Sequence, residues 1–186
     1  FKQKTAYEIP LRLVGSEMCI RDRLSTIGVF GASQGIVNEE SVPKPDGISG
    51  QQLLKAEKSI QTSTNQASIV RLGGLIGGKR HPAKQLAGRT NLSAPKAPTN
   101  LVHQEDVVRF LMAVIEEGHW GKILHCVSPI HHKRDDFYTL AAKRLNLTPP
   151  LFETTRSKRN KLVMDNSSAA LFGFLYRLPD CGVEVS

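Results

Sequence analysis

The sequence predicts an α/β domain built on a mostly parallel sheet, and three observations carry that prediction. Short runs rich in β-branched residues, LSTIGVF at 24–30, ASIVRL at 67–72 and KILHCV at 122–127, alternate with longer stretches of helical periodicity. The runs are nearly continuous in apolar residues, as expected of strands covered on both faces. Strand and helix follow each other along the chain rather than in separate blocks, which is the pattern of parallel strands joined by helical crossovers. With 186 residues, 40% of them hydrophobic, the chain can bury one sizeable core, and a single domain is expected.

The elements follow in order. Residues 24–30 read as the end of a strand, and 31–46, with Pro43 and Pro45, as a polar loop. A helix over 49–63 is predicted from a capped start: Ser49 as N-cap, Gln52 three residues on reaching back, and Ile48 packing on Leu53. Ala67–Leu72 is a strand and Gly73–Gly78 a flexible turn. Prolines at 82, 95 and 98 make 79–99 irregular apart from one short helix near 83–88. Leu101–His103 leads into a helix over 104–117, with Val107, Val108, Leu111 and Ile115 on one face and Gly118 ending it. Glu105 and Asp106 in its first turn suit the positive end of the helix dipole. Residues 122–127 form another strand. A helix over 134–146, buried through Phe137, Leu140, Ala141 and Leu145, stops before Pro149 and Pro150. The stretch KLVMDNSSAALFGF at 161–174 supplies one further strand and a short helix, and no internal repeat is present.

Composition excludes several classes. Cys19, Cys126 and Cys181 have neither an even count nor CxxC spacing, so neither a disulfide framework nor a metal site is indicated, and a reducing, cytoplasmic setting fits. No apolar run approaches the roughly 18 residues of a membrane span. The net charge of +8 is scattered, apart from Arg156, Lys158, Arg159 and Lys161. Aromatic residues are sparse and no RNA-binding signature occurs, so a small molecule is the expected partner and a nucleic-acid module only an alternative. Gly73 to Lys79 formally fits the GxxxxGK of a phosphate loop, but Arg80, His81 and Pro82 follow where a hydroxyl residue and a helix are needed. Adjacent His131 and His132 point apart and make a poor metal pair. Cys126, inside an apolar strand, reads as core rather than nucleophile.

Two resemblances add to this reading. Residues 1–23, FKQKTAYEIPLRLVGSEMCIRDR, resemble a translated sequencing adapter, so native sequence is expected to begin near Leu24. Residues 24–178 resemble the extended and atypical short-chain dehydrogenase/reductases, the NAD-dependent epimerase/dehydratase group, and within it the YeeZ-like subgroup. LSTIGVFG is similar to the family's Ser/Thr strand with a VYG-like end at Val29, Phe30 and Gly31. RLGGLIGG is similar to its RxxxxYG turn through Arg71 and Gly77, and NLVHQEDVV to its RDfihVdDva block through Asn100, His103, Asp106 and Val107.

The resemblance implies the C-terminal part of a Rossmann-like parallel sheet plus a small substrate-side subdomain, with the N-terminal βαβ half missing. Residues 24–186 would then be a partial NAD(P)-binding domain. It places the catalytic hydroxyl on Thr26, beside the cofactor, with Gly73 facing the cofactor and Gly74, Asn100 and His103 facing the substrate. The family's YxxxK acid–base pair falls on Ser49 and Leu53, so only a weak catalytic role is left to Ser49. Lys55 and Lys58 lie about 240° and about 180° around the helix from Ser49 and cannot replace the lysine. Thr99 stands where an arginine often holds a nucleotide-sugar phosphate. The glycine-rich pyrophosphate turn should precede Leu24, and residues 1–23 do not supply it. The implied function is therefore an NAD- or NADP-dependent oxidoreductase or epimerase acting on a sugar-like alcohol, with this chain by itself inactive and free of cofactor. A non-catalytic dinucleotide sensor on the same fold is the alternative.

Overall fold

Four consecutive buried residues, Ile69–Leu72, make β3 the centre of the main sheet. The computed structural model describes residues 23–63, 67–78, 80–153, 159–165 and 173–181. Except for Arg23, the adapter-like leader lies outside these residues, as does most of the short helix expected after Asp165. β3 is flanked by β1 (Arg23–Thr26) and β6 (Ile123–Cys126), both parallel to it. The register runs Leu24↔Val70↔Leu124, Ser25↔Arg71↔His125 and Thr26↔Leu72↔Cys126.

Side chains alternate across a strand, so these rows face opposite sides. Val70, Leu72, Leu124 and Cys126 pack with Val107, Phe110 and Val114 of α3 (Gln104–Glu116). The other row is polar and equally buried: Ser25, Arg71 and His125 lie under α1 (Ile48–Ser63), where Glu57 meets Arg71. A second apolar cluster gathers Ile27, Val29, Phe30, Val37, Val127 and Val163, with Leu53 and Leu54 of α1 packed on it.

Several boundaries differ from expectation. The first strand stops at Thr26, and Ile27–Val29 coil into a 3-10 turn. Inside the expected polar loop, β2 (Ile36–Val37) pairs with β7 (Leu162–Val163). The expected glycine turn begins only at Gly77. Gly74–Ile76 is instead β4, paired in parallel with β5 (Leu101–His103), because partner hydrogen bonds outweigh the low strand preference of glycine. The short helix α2 covers Pro82–Leu86 and α4 covers Arg134–Arg144. On α3, Val108 and Ile115 are 61% and 56% exposed, because the buried arc is turned toward Asp106 and Phe110. Leu140, expected in the core of α4, is likewise surface exposed, while Ala142 is buried.

Gly50 fixes how closely α1 approaches β1. A Cβ there would lie 2.7 Å from both the Gly28 carbonyl oxygen and the Pro45 Cβ. Gly50→Ala should therefore push α1 off the turn after β1 and lower stability by about 1–3 kcal/mol, measured by urea denaturation.

Candidate functional site

The C-terminal ends of β1, β3 and β6 lie side by side, and in open parallel sheets ligands bind along that edge. Thr26 ends β1. Its Oγ1 accepts the Gly28 N–H at 3.2 Å, capping the 3-10 turn and leaving the hydroxyl proton available to donate. The turn is held from outside by Lys161, whose ammonium donates to the carbonyls of Ile27 at 3.0 Å and Phe30 at 2.9 Å. Burial depresses the Lys161 pKa, with Arg159 adding to the depression and Asp46 opposing it.

Asn100 joins this assembly through the same residue. Its Nδ2 donates to the Lys161 carbonyl at 2.9 Å and its Oδ1 accepts the Val163 N–H at 2.8 Å, so the amide docks β7. Gly73 and Gly74 lie against Asn100: the Gly74 N–H donates to the Asn100 carbonyl at 2.8 Å, and a Cβ on Gly73 would come within 3.1 Å of it. Glycine at 73 and 74 thus serves the approach of β4 to β5. With residues 74–76 in a strand and α2 starting only at Pro82, the phosphate-loop reading is not met.

Ser49 does not cap α1. The Gln51 N–H donates to the Gly47 carbonyl at 3.1 Å, so Gly47 occupies the cap position, with Ser49 exposed in the first turn. Ile48 is 74% exposed and forms no staple. Leu53, one turn on, packs on the cluster of Ile27, Val29 and Phe30. The position that would carry a cation holds a core side chain.

His103 belongs to a different place. It caps α3, its Nδ1 accepting the Glu105 N–H at 3.3 Å, and it lines a cavity of about 600 Å³ that none of Thr26, Ser49, Gly73, Gly74 or Asn100 touches. Thr26, Gly73, Gly74 and Asn100 therefore lie at the C-terminal ends of neighbouring strands or against them, while Ser49 is exposed on α1 and His103 stands apart.

Comparison with known proteins bears on the fold and the lineage. No family profile matches the chain. A functionally unknown conserved protein from Silicibacter pomeroyi superposes with a TM-score of 0.75 at 23% identity, over 88% of this chain and 64% of that one. MoeE5 in complex with UDP-glucuronic acid and NAD gives 0.71 at 18%, over 87% and 61%. UDP-glucuronic acid 4-epimerase from Bacillus cereus in complex with NAD gives 0.73 at 16%, over 88% and 56%. At these identities the likeness is one of fold. In sequence, Protein YeeZ of Escherichia coli K12 is 33% identical over 160 residues, 84% of this chain. The chain is a homologue of YeeZ with the Rossmann-like α/β fold of these epimerase structures. It spans 57% of the length of YeeZ.

In this YeeZ-like chain the structure reveals residues that motif reading passed over. Lys161 counted only as part of a basic run, yet its charge is turned inward. Arg71 marked a turn motif, but it forms a buried ion pair with Glu57. Asp106 suited a helix dipole, but its carboxylate also accepts the N–H groups of Arg177 and Leu178, each at 2.9 Å. The LVHQED spacing could have flagged Asp106 as special without revealing its partners.

Among the described residues the two thiols, Cys126 and Cys181, are core groups. Burial pushes the Cys126 thiol far up, reinforced by Asp165, and pushes Cys181 up to about 11. Among the described residues no group of His, Cys, Asp and Glu could hold a metal, and no helix is long and apolar enough to cross a membrane. His131 bonds the Thr99 carbonyl at 2.8 Å and His132 the Asp180 carboxylate, also at 2.8 Å.

Burial holds the pKa of His125 below its usual 6.5; Arg71 also lowers it, against Glu39, Glu57 and the Met164 carbonyl. Burial depresses His131 too, with His132 lowering it further against the Thr99 carbonyl. Each therefore takes up its proton at a lower pH in the folded chain than in the unfolded one. Their contribution is present above about pH 6.5 and is lost as pH falls through the folded values. Urea midpoints should fall between pH 7 and pH 5, with His125 alone contributing up to about 1.4 kcal/mol per pH unit. A flat profile would contradict its neutral burial.

Proposed function

We propose that the full-length protein binds NAD or NADP along the edge formed by β1, β3 and β6 and acts on a sugar-like or nucleotide-sugar alcohol. The supporting observation is the placement of the Thr26 hydroxyl, with a proton left to donate, at the end of β1. Thr26 would bond the reacting alcohol or ketone while hydride passes to or from the nicotinamide, with Gly73 on the cofactor side and Gly74 and Asn100 on the substrate side. Ser49, exposed one turn before Leu53, would at most bond a ligand. His103 would face its own cavity. This chain alone, carrying neither the acid–base pair nor a glycine-rich pyrophosphate turn, is proposed to bind no dinucleotide and to turn nothing over. Buried, reduced Cys126 and Cys181 fit a cytoplasmic location.

One observation favours a second reading, a non-catalytic dinucleotide sensor. Leu53 is part of the core, so the cation that would acidify a base has no place on α1. Lys161 also speaks against the nucleic-acid alternative, because its ammonium is taken up by the turn after β1.

The test is titration of full-length YeeZ and of this chain with NADH and NADPH, followed by assay of YeeZ with UDP-glucuronic acid and UDP-glucose. Binding by YeeZ with oxidation or epimerisation supports the enzyme, and binding without turnover supports the sensor. Failure of YeeZ to bind either dinucleotide overturns both.

A further inference from the structure

Two histidines line the cavity at the C-terminal ends of β4 and β5, and each is fixed in one tautomer by the helix it caps. His103 Nδ1 accepts the Glu105 N–H at 3.3 Å, and His81 Nδ1 accepts the Ala83 N–H at 3.2 Å. A ring nitrogen that accepts carries no proton, so in each neutral imidazole the proton is on Nε2. Both rings therefore contribute a donor. The His81 Nε2–H is buried and finds no acceptor among the described residues, an arrangement that costs about 1–3 kcal/mol while unmet. The His103 Nε2 stands beside Gly77, where a Cβ would come within 2.7 Å of it.

The remaining lining is suited to the same kind of ligand. Lys84 and Arg177 add two cations, and Ile76, Leu145 and Leu178 add apolar wall. Of the two acidic residues in the lining, Asp180 is bound to His132 at 2.8 Å. Glu105 remains as an acceptor for a hydroxyl. At about 600 Å³ the space suits a small metabolite.

We propose that this cavity binds a small hydroxylated molecule bearing a phosphate or carboxylate group, its oxyanion received by the Nε2–H donors of His81 and His103 together with Lys84 and Arg177. The site shares no residue with the Thr26 edge and does not depend on the dinucleotide reading.

The test uses the whole chain near neutral pH and constant ionic strength. The imidazole nitrogen resonances of His81 and His103 are followed by NMR while inorganic phosphate, succinate or chloride is added. A saturable shift at both Nε2 positions with phosphate, succinate or both, and none with chloride, is expected. A response to one anion alone identifies which oxyanion the ligand carries. Lys84→Gln combined with Arg177→Gln, at unchanged Tm, should weaken binding at least tenfold. Single Lys84→Gln serves if the pair is unstable, with a smaller but measurable loss. No saturable shift, an equal response to chloride, or unchanged affinity in the variants would overturn the proposal.

Discussion

Arg71→Met should destabilise the protein by about 3–5 kcal/mol, whereas Arg71→Met combined with Glu57→Met should recover most of that loss. Arg71 and Glu57 are 2% and 1% exposed, with Nη2 2.8 Å from Oε2 and Nε 3.2 Å from Oε1. Ser25 donates to the same carboxylate at 2.5 Å, and the guanidinium lies 5.2 Å from the centre of the Phe30 ring. Two charges withdrawn this far from water are tolerated because each faces the other in bidentate geometry. Removing Arg71 leaves a carboxylate in a dry interior where, among the described residues, the Ser25 hydroxyl is its one remaining hydrogen-bond partner. Removing both charges also removes both desolvation penalties, which is why the double variant should approach the parent. Urea denaturation of the two singles and the double, read as a double-mutant cycle, gives the coupling. If the single and double variants fell equally, the pair would be packing material and its charge irrelevant.

Asp106→Ala should release residues 173–181 from the body of the domain, at a cost of about 2–4 kcal/mol. The Asp106 carboxylate is buried and accepts three donors: the N–H groups of Arg177 and Leu178 at 2.9 Å each, and Arg109 Nη1 at 3.0 Å. No other acceptor among the described residues replaces it for those two N–H groups. Phe174 and Tyr176 would lose their seat with it. Phe174 meets the Phe110 ring edge-on at 5.3 Å, and the Tyr176 hydroxyl accepts the Val127 N–H at 3.1 Å and donates to Asp165. Limited trypsin digestion is the direct measurement, because Arg177 lies inside the segment that should loosen. Asp106→Asn, which keeps one acceptor oxygen, should fall between. Unchanged cleavage at Arg177 in the alanine variant would mean that apolar packing alone holds the segment.

Much of the fold was legible because burial leaves a local trace. The run IVRL, flanked by turn residues, reads as a strand whether or not its partners are known, and the alternation of such runs with helical windows points to a parallel sheet. What failed was phase and competition. Val108 and Ile115 look as apolar as Val107, but the rotation of α3 follows from Asp106, whose partners lie about 70 residues away in the chain. Gly74–Ile76 reads as a turn until β5 supplies hydrogen-bond partners. Ser49 makes a plausible cap until Gly47 is seen to hold the first helical hydrogen bond.

For the candidate site the division is similar. The sequence by itself determined the alternation of the main strands and helices, and that Ser49 and Leu53, rather than a tyrosine and a lysine, stand one turn apart in the helix after the first loop. Those statements need only residue identity and spacing. Tertiary structure alone decided that Leu53 is core, that Lys161 braces the turn after Thr26, that Arg71 answers Glu57, and that His81 and His103 meet in one cavity. A buried charge is stabilised by its partner, and which residue becomes that partner depends on strand register and helix rotation. Those are set by the packing of the whole chain, and no local pattern encodes them.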